Sequence, residues 1–137
     1  MSVNTKPIGV AYEDQNIVGA DLILSDSDLG YTAAAQGSVT QLTSKSTAVT
    51  LNASAGRITM NNAALGATTN VTFTLNNSKL SVNDVVVLSV SEGATAGAYN
   101  CWISGKAAGS ATITVRNISA SPLSEAVVIN FAIIHCV

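Results

Sequence analysis

His135 and Cys136 stand side by side near the end of the chain, and they are the residue types from which a Cys–His nucleophile or a metal site is built. A nucleophilic pair needs both side chains at one centre. Adjacent residues of a strand point to opposite faces, which sets these two apart. A zinc site takes about three or four protein ligands. This sequence offers one histidine and two cysteines, Cys101 and Cys136, so a terminal structural histidine is the expected role of His135. Asp21, Asp26 and Asp28 are the right type for calcium, but the further ligands and the closing glutamate of an EF-hand loop are missing. Asp84 and Glu92 flank one apolar segment and Glu125 begins another. A glycosidase pair faces a cleft with room for a sugar. The neighbours here are small and poor in aromatic surface, so solvated turns are the expected setting of these acids. No glycine loop of phosphate-binding type precedes a helix. The expectation is therefore a protein that is not an enzyme, with no catalytic residue, no metal and no cofactor.

Trp102 reads differently. Within residues 99–104, Tyr99, Cys101 and Ile103 share one strand face and Trp102 takes the other. If the first face is core, the indole lies outside, where tryptophan is enriched at protein contacts. The alternative is a tryptophan buried in a strand covered on both sides. Cys101 and Cys136 are read as small hydrophobes in a reducing cytoplasm, with pairing between them left open.

The segments that must position these residues are short and alternating. Residues 70–75 place Val71, Phe73 and Leu75 on one side and Thr72 and Thr74 on the other. Residues 111–116 repeat the pattern with Ile113 and Val115 inward, and residues 57–60 are a shorter copy. Residues 85–90 and 126–134 are nearly continuous apolar runs, expected as central strands covered on both faces. Residues 38–42, 48–51 and 98–104 complete a set of about eight strands. Clusters of Gly, Asn, Ser and Pro separate them at 52–56, 76–83, 91–97, 105–109 and 119–123. Residues 61–65 alone look like one helical turn. This spacing predicts an all-β fold, a two-sheet antiparallel β-sandwich with jelly-roll-like strand order, over residues 37–137.

Residues 1–36 stand apart as an N-terminal arm and linker. Pro7 and Gly9 disfavour a compact element there. The arm still carries Ile8, Val10, Tyr12, Ile17, Val18, Leu22, Ile23 and Leu24, too apolar for a solvated tail. Residues 17–24 read either as part of this arm or as one more strand. The first 30 residues hold Glu13, Asp14, Asp21, Asp26 and Asp28 against Lys6 alone, while the rest is weakly basic. Candidate protein-contact residues are Ile8, Val10, Tyr12, Ile17 and Trp102.

Across 137 residues only 10% are charged, far below the roughly 25% usual for soluble domains. Ser, Thr, Asn and Gly fill the deficit. Low charge gives little mutual repulsion and suits a protein packed against others. A net charge of −2 offers no basic field for nucleic acid or an anionic membrane surface. No apolar leader opens the sequence. Its longest apolar stretch is well short of the roughly 20 residues that span a bilayer.

Residues 39–52 followed by 56–61 resemble a module of tailed-bacteriophage virion structural proteins, and the similarity continues through 71–78, 84–87, 93–99, 116–119 and 123–131. It covers roughly residues 37–134. Such modules occur in small head-decoration, or cement, proteins and within head and tail fibre proteins. The resemblance implies a capsid decoration protein on the virion surface, made in the host bacterial cytoplasm. Its implied partners are the major capsid protein and further copies of itself, as a dimer or trimer. It also admits a receptor- or carbohydrate-binding tip of a fibre or spike. It brings no catalytic residue.

Overall fold

The computed structural model describes residues 29–136. A single 3-10 turn (Ala33–Ala35) leads into eight strands: β1 (Gln36–Thr40), β2 (Val49–Thr50), β3 (Ala55–Thr59), β4 (Asn70–Asn76), β5 (Val85–Glu92), β6 (Tyr99–Ala107), β7 (Ser110–Asn117) and β8 (Val128–Ile134). They form two four-stranded sheets, ordered β1-β3-β8-β5 and β2-β4-β7-β6. β1 lies near β2 and β5 near β6, so the sheets face each other as a sandwich. Only the β6–β7 hairpin stays within one sheet; the other connections cross the sandwich, an alternation that jelly rolls also use. The sheets are mixed rather than purely antiparallel. β1 runs parallel to β3, and β2 parallel to β4. Parallel neighbours cannot be joined by a tight hairpin. Here each connecting segment passes through the opposite sheet first.

The core follows the period of two. Phe73, Leu75, Ile113 and Val115 from one sheet meet Ile58, Ile129, Phe131 and Ile133 from the other, and all are buried. Val86, Leu88 and Val90 pack against this core from β5. At about 25 cal/mol per Å², each such side chain contributes on the order of 1.5–3 kcal/mol.

β8 is a central strand, as its apolar run requires, but β5 is not. It pairs with β8 on one side only, and its other edge is unpaired among the described residues. A continuous apolar run has two explanations, burial on both faces or an apolar outer face, and β5 has the second. Residues 61–64 are irregular rather than helical. Asn61 Oδ1 accepts a hydrogen bond from Ala63 N at 2.8 Å, and Leu65 forms an isolated bridge to Leu123. The alanines expected in a linker make the 3-10 turn.

Buried polar side chains hold the loops. Asn117 donates to the carbonyls of Leu65, Gly66 and Ser121 at 3.0, 3.1 and 2.9 Å, and its Oδ1 accepts from Ser119 N and Oγ. Gln41 donates to the carbonyls of Lys45 and Thr47 and accepts from Asn61 N. Asn77 donates to Ala53 O at 2.7 Å. Such amides are satisfied, which is what makes their burial tolerable.

Candidate interaction surface

Outward residues of the β5–β8 pair form an apolar strip. Val85 sits opposite Ile134 and Val87 opposite Ala132. Val85 and Val87 are each 50% exposed and Ile134 is 55% exposed. Val82, in the turn before β5, is exposed as well. From Val85 to Val90 the register is regular and the strand carries no charge; a bulge and Glu92 come only at its end. Native sheets usually protect their edges with charge, proline, bulges or a covering element. β6, the other edge on this side of the sandwich, shows such protection, with a bulge between Ile103 and Gly105 followed by Lys106. The first six residues of β5 have none.

Trp102 lies on the outer face of β6, opposite Thr114, and is 37% exposed, while Tyr99, Cys101 and Ile103 turn inward. Thr114, its register partner, is buried, and its hydroxyl is engaged within the sheet. Thr72 and Thr114 share a hydrogen bond of 2.9 Å, and Thr114 donates to Ser104 Oγ at 2.8 Å. Ile8, Val10, Tyr12 and Ile17 lie outside the described residues, as do Asp21, Asp26 and Asp28.

Of the acids expected in solvated turns, Asp84 has a different setting. Asp84 is fully buried. Its carboxylate accepts from Ser81 N and Oγ, both at 2.8 Å, from Cys136 N at 3.1 Å and from His135 Nδ1 at 2.7 Å. Burial alone pushes its pKa up; the bonds from Ser81, Cys136 and His135 together outweigh this and hold it well below the usual carboxylate range. Glu125 accepts from Thr95 N at 3.1 Å and Thr95 Oγ1 at 2.6 Å, bonds that draw its pKa down. Tyr99 is pushed up to about 12, first by burial and then by the nearby Glu125 carboxylate. Its hydroxyl is buried without a hydrogen bond of ordinary geometry. Glu92 forms an exposed ion pair with Arg57 on the outer face of its sheet, a type worth at most about 1 kcal/mol.

Lys45 is buried, and its ammonium donates to the backbone carbonyls of Asn61 and Glu125 at 2.5 and 2.6 Å. Desolvation lowers its pKa, and the Glu125 charge acts the other way. Cys101 and Cys136 are free thiols, the first on the inner face of β6 and the second beyond β8 in the opposite sheet. Burial pushes the Cys101 thiol up. No group of three or more His, Cys, Asp or Glu side chains is placed to hold a metal among the described residues. The alternation of residues 99–104 puts Trp102 on the face opposite Cys101, as the sequence indicates, whereas the β5 strip was missed, because its only signal was an apolar run already given to the core. Comparison with known protein families, with curated proteins and with solved structures gives no match.

Proposed function

We propose that this chain is a non-enzymatic structural module that works by protein–protein contact, decorating or cementing a bacteriophage capsid. The open, uncharged β5 edge with its exposed Val85, Val87 and Ile134 carries the contact part of this reading. A neighbour laying a strand along β5 would satisfy its free backbone groups and cover the apolar strip in one step. The virion part rests on the resemblance over residues 37–134. Stable structural contacts bury upwards of about 2,000 Å², so the interface extends beyond this strip. Ile8, Val10, Tyr12 and Ile17 of the arm are assigned to the same task of tying neighbouring capsid subunits together. The buried Asp84 and Lys45 are engaged in internal hydrogen bonds, which supports a structural rather than a catalytic use of this module.

The position of the protein in purified particles tests the proposal. Copies distributed over the head at capsid symmetry positions are expected, contacting the major capsid protein and each other. Absence from particles would overturn it. Copies confined to the tail would favour the receptor- or carbohydrate-binding reading. One observation supports that alternative: the partly exposed Trp102 on the outer face of β6 offers aromatic surface on which a sugar could stack.

A further inference from the structure

The end of the sandwich where β8 finishes carries a feature that strand pairing along β5 does not use. His135 is anchored through Nδ1 to the buried Asp84 carboxylate. An ionised carboxylate only accepts, so Nδ1 carries the proton in this bond and Nε2 is left for another partner. More than half of the His135 side chain is exposed. Beside it opens a cleft of about 390 Å³ lined by Tyr31, Ser54, Ser78, Lys79, Ile133 and His135.

The backbone of this cleft is fixed. Ser54 N donates to Ala35 O, and Ser54 O accepts from Ile133 N. Ser78 N donates to Asn52 Oδ1, and Lys79 N to Asn77 Oδ1, each at 2.9 Å. These bonds use main-chain atoms and leave the side chains to the cleft. The two ion pairs among the described residues are Arg57–Glu92 and His135–Asp84, so Lys79 belongs to neither. The lining thus combines an ammonium, two serine hydroxyls, a tyrosine hydroxyl that donates to the Ile133 carbonyl, and an oriented imidazole, and none of its described residues is acidic. Asp84, the nearby acid, is occupied by Ser81, Cys136 and His135. Lys106 donates to the Asp84 carbonyl, adding a second cation to this end.

We propose that this cleft binds a small oxyanion, a carboxylate or phosphate group, between Lys79 Nζ, His135 Nε2 and the hydroxyls of Ser54 and Ser78. Charge-assisted hydrogen bonds from an ammonium are the strong type for such a ligand. Asp84 is a positioning residue: it holds Nδ1 and so fixes the ring, and in an imidazolium ring Nε2 donates as well. The carboxylate version would come from an acidic side chain of a neighbouring protein, and the phosphate version from a free anion.

The test is an NMR titration of the full chain with sodium phosphate and, separately, sodium acetate, at ionic strength held constant with sodium chloride. Saturable shifts are expected in the His135 ring signals and in the Ser78 and Lys79 amides, with half-saturation in roughly the millimolar range. Lys79→Met should weaken the affinity about tenfold while leaving the unfolding midpoint in place, because the side chain is exposed. His135→Gln should weaken it similarly. A stronger response to acetate points to an acidic side chain as the source, and a stronger response to phosphate to a free anion; both support the site. Shifts no larger than chloride produces, or shifts unchanged by Lys79→Met, would overturn it.

Discussion

His135 Nδ1 donates to Asp84 Oδ1 at 2.7 Å across 51 positions of sequence, joining the residue just past β8 to the turn before β5. The same carboxylate holds Cys136 N and both donors of Ser81. One buried acid therefore ties together the ends of the two strands that carry the apolar strip.

Asp84→Asn is expected to lower stability near neutral pH, because the amide keeps the volume but loses the charge and puts a donor where donors already converge. The sign with pH follows from the depressed folded pKa of Asp84. Its stabilisation is complete above the unfolded value near 4 and is lost as pH falls from there toward the folded value. The gap between wild type and variant in urea midpoint should be widest near pH 7 and narrower at about pH 2.5. An equal gap at both would refute the charge argument.

Asn117→Ala removes a side chain that serves three carbonyls and two donors of Ser119. The expected cost is about 2–4 kcal/mol, from several buried groups left unpaired. Urea unfolding measures it. Amide exchange at Ser119 should quicken more than at Ile113, since Ser119 N loses its acceptor directly.

All eight strands were legible in sequence because one inner face imposes a period of two. The alternation of residues 70–75 becomes β4, with Phe73 and Leu75 buried and Thr72 outside. The pairing was not legible. Nothing local to residues 36–40 or 55–59 encodes that these strands run parallel, since partner choice depends on how the intervening chain crosses the sandwich. Trp102 was placed correctly on the face opposite Cys101, because relative facing is a local property. The burial of Asp84, Lys45 and Asn117 is a property of the assembled fold, and residue type alone suggests the surface for each. For β5, hydrophobicity reports a wish for burial and leaves open whether the partner lies in the same chain.

Gly93 and Gly97 separate two effects of a side chain in a turn. Both have positive φ, 67° and 74°. A Cβ on Gly93 would stand 2.4 Å from the carbonyl oxygen of Ala126, whereas nothing lies within 4 Å of one on Gly97. Gly97→Ala should cost only the left-handed backbone penalty, about 1–2 kcal/mol. Gly93→Ala must also displace the segment before β8 and should cost clearly more. Thermal or urea unfolding of the two variants side by side decides this; equal losses would mean that the Ala126 segment yields freely.

Charge placed on the β5 edge should block association without unfolding the domain. Val85 and Val87 face outward, away from Val86 and Leu88, which pack on the core. Lysine at both outer positions places charge on the strip while the long stems still cover the sheet face. Substitutions at half-exposed sites typically shift stability by no more than about 0.5 kcal/mol, so the double variant Val85→Lys, Val87→Lys should fold with a nearly unchanged unfolding midpoint. Its capacity for association should fall sharply, because charge on an open edge opposes strand addition both by repulsion and by the cost of desolvation. Sedimentation velocity on wild type and variant, together with occupancy on purified particles, reads out the loss. A control variant, Thr50→Lys, adds one positive charge against the two of the double variant, on the exposed face of β2 at the far edge of the other sheet. If the double lysine variant associates and occupies particles like wild type, β5 is not the contact edge, and the outer face around Trp102 becomes the surface to alter next.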